Sequence, residues 1–181
     1  NTLYERVQRL ATRRQNLVPV INRISGSLLG AREYTDHSFE VFISPRRVRF
    51  CESEFALPRQ HAREAITELQ SWFASSGQRI SFPIEVRFAA ADDIWMSTGH
   101  ERDNVYIAVH QFHRQDSEKY FAAAQEIFTA HEGRPHWGKL HTLGADYFSK
   151  VYPRFAEFVE VRNELDPDRR FTNEYLERVL G

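Results

Sequence analysis

From Phe82 to Phe88 the chain alternates in a period of two: Phe82, Ile84, Val86 and Phe88 take one face, Glu85 and Arg87 the other. Only an extended strand sorts side chains in this way, because successive residues of a pleated sheet point to opposite faces. A sheet is therefore required, and the flanking sequence says what kind. Val105 to Phe112 is nearly apolar on both faces, as expected of a central strand. The apolar run Phe39, Val41, Phe42 and Ile43 precedes a Ser44-Pro45-Arg46 turn. Val48 and Phe50 then alternate with Arg47, Arg49 and Cys51, which predicts a β-hairpin.

Helices follow each pair of strands. Pro58 is placed to open the first, and Ala62, Ala65, Ile66, Leu69, Trp72 and Phe73 continue at helical spacing up to Gly77. Asp116 or Ser117 can cap the second, which carries Tyr120, Phe121, Ala124, Ile127 and Phe128 and stops at Gly133. The predicted class is α+β: an antiparallel β-sheet built from strand-strand-helix units, with helices packed on it. Helical spacing also spans residues 2–14 and resumes past Pro19 until Gly26 and Gly30. The C-terminal third is helical. One segment there is opened by Pro153 and closed by Asp166-Pro167, and a last one, Tyr175 to Leu180, is capped by Thr172 or Asn173. With no linker and no low-complexity stretch, residues 1–181 read as a single domain.

Composition removes several classes of function. Twenty-four Lys and Arg against 25 Asp and Glu leave a net charge of −1, without the basic excess that binding to nucleic-acid phosphates requires. No apolar run approaches the roughly 20 residues that span a bilayer. Cys51 is the single cysteine, so no internal disulfide or cysteine-built zinc site is expected, and a reducing, cytoplasmic setting fits. The sequence opens at Asn1 without a signal segment, so it reads as a piece of a longer protein.

Three groupings can carry chemistry. Glu85 and Arg87, two residues apart on a strand, have Cα atoms about 6.8 Å apart on one face and can reach one bound molecule together. Opposite charges so placed favour the ionised glutamate. The plainer reading is an ion pair at a solvated edge. The apolar neighbours instead suggest a strand covered on both faces, where an unpaired charge is costly. Six of the eight histidines, His100, His110, His113, His131, His136 and His141, fall within 42 residues. Their spacing matches no ligand motif, and no metal is assigned. Finally, Arg134-Pro135-His136-Trp137-Gly138-Lys139-Leu140-His141 reads as an irregular loop with close backbone approach at Gly138. Lys139 is one of only three lysines beside 21 arginines, so a compact point charge is wanted there rather than a planar fork. Gly26 to Gly30 is a helix end, not a phosphate cradle.

Several segments along residues 35–181 together resemble one family. Phe82 to Phe88 followed by Asp92-Asp93-Ile94-Trp95-Met96-Ser97 is similar to the Glu-x-Arg strand of the aldonolactone oxidases, and Pro135 to Lys139 resembles their His-Trp-Gly-Lys motif. Glu54 to Arg59, Tyr152-Pro153-Arg154-Phe155, Val161-Arg162, Leu165-Asp166-Pro167 and Phe171 to Leu176 also resemble that family. It comprises the sugar-1,4-lactone oxidases and dehydrogenases, with alditol oxidase a close relative, among flavoproteins of the vanillyl-alcohol-oxidase type. The resemblance implies a cap, or substrate, domain whose FAD-binding partner domain lies outside this chain, so that the chain alone is inactive. It implies hydride transfer from a sugar lactone or polyol to FAD, with oxygen or a cytochrome as electron acceptor, and in some relatives membrane association. By the same resemblance Arg87 contacts flavin and substrate and Glu85 holds the substrate hydroxyls. Lys139 sits near the flavin or the reacting oxygen with His136 beside it, and His110 is a further substrate-binding candidate. The alternative is a non-catalytic strand-strand-helix module that binds a metabolite or pairs subunits.

Overall fold

The structure is a computed structural model that describes residues 2–28, 30, 31, 33–42 and 47–181. Three helices come first: α1 (Thr2–Arg13), α2 (Val18–Leu28) and α3 (Ser38–Phe42). Then follow β1 (Phe50–Pro58), α4 (Ala62–Ser76), β2 (Glu85–Ala89), β3 (Asn104–Phe112), α5 (Glu118–Ala130) and β4 (Arg134–Pro135). The remainder is α6 (Ala145–Val151), α7 (Phe155–Leu165) and α8 (Glu174–Leu180). The strands form one sheet in the order β2-β3-β1-β4, every pair antiparallel. From β1 to β4 the chain runs β-α-β-β-α-β, so each helix connects strands that are not consecutive neighbours in the sheet.

Period-two patterning decides which side of the sheet is dry. Phe55 and Leu57 of β1 and Val105, Ile107 and Val109 of β3 point the same way and pack on Ala65 and Leu69 of α4 and Tyr120, Ala124 and Phe128 of α5. All are fully buried. Each large side chain so placed contributes roughly 1.5–3 kcal/mol of transfer free energy. Gly77 terminates α4 with φ +71°, a conformation that costs glycine nothing. A second core joins Phe148, Tyr152, Phe155, Val179 and Leu180 of the C-terminal helices. α1 is tied on by the buried Gln8, whose amide donates to Ser81 O at 3.3 Å.

The α+β class, the antiparallel sheet with helices on it and the helical C-terminal third agree with the pattern in the sequence. β2, β3 and α5 make one strand-strand-helix unit. The other contains only β1 and α4, because residues 38–42 are helical; the expected turn at Ser44-Pro45-Arg46 lies outside the described residues. A short apolar run has the same composition in either element, and here it is too brief for its period to decide. Pro58 closes β1 instead of opening the helix, which begins at Ala62 after a 3₁₀ turn, Arg59–His61. α2 passes through Gly26 to Leu28. β2 is an edge strand, not one covered on both faces: Val86 and Phe88 are 40% and 58% exposed. Among the described residues no helix is long and apolar enough to cross a membrane.

Candidate functional site

The face of the sheet turned away from α4 and α5 holds the charges. The register sets Glu52 opposite His110, Glu54 opposite Ala108, Glu85 opposite Ala108 and Arg87 opposite Tyr106. Glu52 and Glu54 of β1, Tyr106, Ala108 and His110 of β3, and Glu85 and Arg87 of β2 therefore share one face. Ala108, a bare methyl, is the low point between the two outer strands. Across it Arg87 reaches over two strand spacings, about 4.8 Å each, and its Nη2 pairs with Glu54 Oε1. Its Nε lies 3.2 Å from Glu85 Oε1, and its guanidinium lies 5.7 Å from the centre of the Tyr106 ring. The Tyr106 hydroxyl in turn shares a 2.7 Å hydrogen bond with Thr98.

On the other side of β1 the segment after β4 continues beside the strand. His136 N donates to Glu54 O at 2.9 Å and Leu140 N to Glu52 O at 3.0 Å. Trp137 anchors this segment: its indole N–H donates to Met96 O at 2.9 Å and its ring sits 4.6 Å from Phe148, in the second core. Lys139 is thereby turned over β1, where its ammonium pairs with Glu52 Oε2 and lies 3.7 Å from Glu54 Oε2. Glu54 is 1% exposed and stands between the two cations. Its Oε2 has no hydrogen-bond donor among the described residues and is held by Lys139 through charge alone. Glu52 also meets His110, with Oε1 3.2 Å from Nε2, while His110 Nδ1 lies 3.1 Å from Pro83 O. Burial by itself would raise the Glu52 carboxyl, but the Lys139 ammonium and then His110 outweigh it and hold it below the ordinary range.

Four of the five residues singled out by sequence thus meet in one connected network: Glu85, Arg87 and Lys139 through ion pairs, and His110 through its ring nitrogen beside Glu52. His136 borders it: its backbone pairs with Glu54, while its ring accepts the Gly138 N–H at 3.0 Å. The close approach expected at Gly138 is absent, since an added Cβ would only touch the His136 ring at 3.5 Å. Glu52, Glu54 and Tyr106 were missed. The signal for the two glutamates was their common parity on a strand that is apolar from Phe55 to Leu57, but the hairpin reading ended that strand at Cys51.

In outline, three carboxylates and an imidazole hold two cations over a shallow floor. Arg87 remains 53% exposed at its side chain. One N–H of its Nη2 is hydrogen-bonded to Glu54, and Glu85 lies beside its Nε as a counter-charge, so the guanidinium keeps donors on its exposed side.

The profile of the family described as D-arabinono-1,4-lactone oxidase matches residues 1–179. The chain is 43% identical over 166 residues to an L-gulono-1,4-lactone dehydrogenase of Mycobacterium tuberculosis, covering 92% of this chain and 39% of the relative. It is 37% identical over 171 residues to an L-gulonolactone oxidase of Scyliorhinus torazame, covering 91% and 39%. Identity to an alditol oxidase of a Streptomyces species is 33% over 145 residues, or 78% and 34%. The chain spans no more than 39% of the length of any of these three.

Proposed function

Because the chain belongs to the D-arabinono-1,4-lactone oxidase family, we propose that it is the substrate-side cap of an FAD-dependent oxidoreductase acting on a sugar 1,4-lactone or related polyol. The observation that carries the reading is the bridge from Arg87 through the buried Glu54 to Lys139. A carboxylate with no outlet to solvent, held between two cations, fixes both of them on the floor of an open face. A soluble metabolite-binding module has no need of so costly an arrangement, since buried charge must be compensated at every partner.

The donor set fits the cofactor. Arg87 keeps free donors and positive charge on the exposed side of the network, the chemistry an electron-accepting ring system with carbonyl acceptors calls for. FAD, when bound, supplies the acceptor for the hydride. Arg87 and Lys139 would hold the cofactor, with His136 at their border. A cation already in place about 4 Å from developing negative charge is worth about 4 kcal/mol at an effective dielectric of 20. Glu85, on the more exposed strand, would accept hydrogen bonds from the lactone hydroxyls, and His110 would define the end of the pocket nearest Pro83.

The rest of the protein would provide the FAD-binding domain and the route to oxygen or a cytochrome. Leu3, Leu10, Val20, Ile24 and Leu28 on α1 and α2 expose apolar side chains that support a protein partner on that side.

Stopped-flow reduction of the full-length protein by L-gulono-1,4-lactone tests the reading. Arg87→Ala should slow flavin reduction at least about 100-fold, the usual loss when a preorganised charge-stabilising donor is removed. An unchanged rate would remove Arg87 from the site. A wild-type flavin that no aldonolactone or alditol reduces would overturn the assignment itself.

A further inference from the structure

On the opposite side of the sheet a second polar cluster stands apart from the network around Glu54. His61 immediately precedes α4, Glu64 and Glu68 follow on the same helical face at i+3 and i+7, and His131 immediately follows α5. His61 Nδ1 is 3.4 Å from Glu64 Oε2, and His131 Nε2 is 3.1 Å from Glu68 Oε1. The two imidazoles lie side by side with centroids 5.3 Å apart and their planes tilted by 42°. One ligand atom each from His61, Glu64 and His131 lie within 4.8 Å of one another. Two ligands of a tetrahedral zinc, bonded at about 2.0–2.1 Å, are about 3.4 Å apart, so the set needs only a small side-chain closure to surround an ion.

We propose that His61, Glu64 and His131 bind one divalent transition-metal ion, with Glu68 beside His131 able to complete the shell. Two imidazole nitrogens and a carboxylate suit Zn²⁺ and its neighbours in the first transition row, while Mg²⁺ and Ca²⁺ prefer all-oxygen shells. The spacing of the histidines between His100 and His141 assigned no metal, because His61, the partner of His131, lies 70 positions earlier in the chain. The ion would join the start of α4 to the end of α5, three residues before β4, and so brace the root of the segment that carries Lys139. The site stands independently of the flavin reading.

Tag-free full-length protein is titrated with ZnCl₂ by calorimetry and with CoCl₂ by visible absorption, beside His61→Gln and His131→Gln variants. Both residues are partly exposed at helix ends, and circular dichroism verifies that the variants fold. The expected result is uptake of one Zn²⁺, d–d bands of a low-symmetry Co²⁺ site, and a loss of affinity of more than about 100-fold in either variant, above what losing an outer-shell partner alone costs. MgCl₂ should bind with no comparable heat. Absence of both zinc uptake and cobalt bands in the wild-type protein would overturn the proposal, and so would uptake that persists unchanged in both variants.

Discussion

Glu54 is the residue on which the candidate site turns, although it need not touch a substrate. It is almost wholly buried, and its carboxylate is shared between Arg87 and Lys139. Glu54→Gln preserves the shape and removes the charge, so both cations lose their common anchor. In the full-length protein this should lower kcat about 10–100-fold with little change in lactone affinity, the split expected of a group that positions others. Wild-type turnover would deny it that role. Glu54→Ala goes further and leaves two cations facing each other across a void. It should cost about 1–3 kcal/mol by chemical denaturation, the range of an ordinary core truncation, because Arg87 is half exposed and each cation keeps a second carboxylate. Lys139 stands out as a rare lysine in an arginine-rich chain, and its ion pairs show how a compact charge fits there. A compact ammonium fits between two carboxylates on one strand, where a planar fork would need more room.

At the scale of elements, the connection from α5 to β4 decides where Lys139 goes. Gly133 N donates to Phe128 O at 2.8 Å, and a Cβ at this position would come within 2.5 Å of that same carbonyl oxygen and 3.2 Å of Phe55. Gly133→Ala should therefore destabilise by about 1–3 kcal/mol, read as a lower denaturant midpoint at unchanged slope. A variant as stable as the wild type would show that the turn relaxes freely. Elements of this chain were legible where their period or their ends showed: β2 has only five residues and α8 only seven, yet alternation marks the first and the Asn173 cap the second. β3, nine residues and apolar on both faces, and α4, fifteen residues closed by Gly77, both declared themselves. β4 did not, because two residues display no period; α6, at seven, was passed over too. Glu85 and Arg87 were visible because their strand alternates. Their partners across the sheet were not, since pairing between β1 and β2 through β3 is a property of strand order, which periodicity leaves undetermined.

For the molecule as a whole, acid should loosen the joint between the C-terminal helices and the sheet. His141 lies against Phe148 of α6, its Nε2 is 3.1 Å from the Tyr175 hydroxyl of α8, and Arg178 donates to its carbonyl. Burial first, and the Arg178 charge second, push its pKa down from 6.5 to about 4. The unfolded chain thus binds a proton at this residue that the folded chain refuses, throughout the interval between those two values. Stability contributed by the neutral ring is complete above pH 6.5 and is lost as pH falls toward about 4. His141→Asn, which does not titrate, should flatten this part of the curve of thermal midpoint against pH. Parallel curves for wild type and variant would place the acid sensitivity elsewhere.

The crossing of Arg87 over β3 to Glu54 has a consequence for assembly. Sliding β1 by two positions along its neighbour would keep the apolar side chains on the inward face, so the period of two cannot by itself reject the error. One direction of slip sets Ala56 opposite Ala108 and leaves Arg87 without its buried carboxylate, while the other puts Glu52 in the place of Glu54 and Phe50 opposite His110. Charge as well as burial thus distinguishes the observed alignment of the strands from its nearest neighbours.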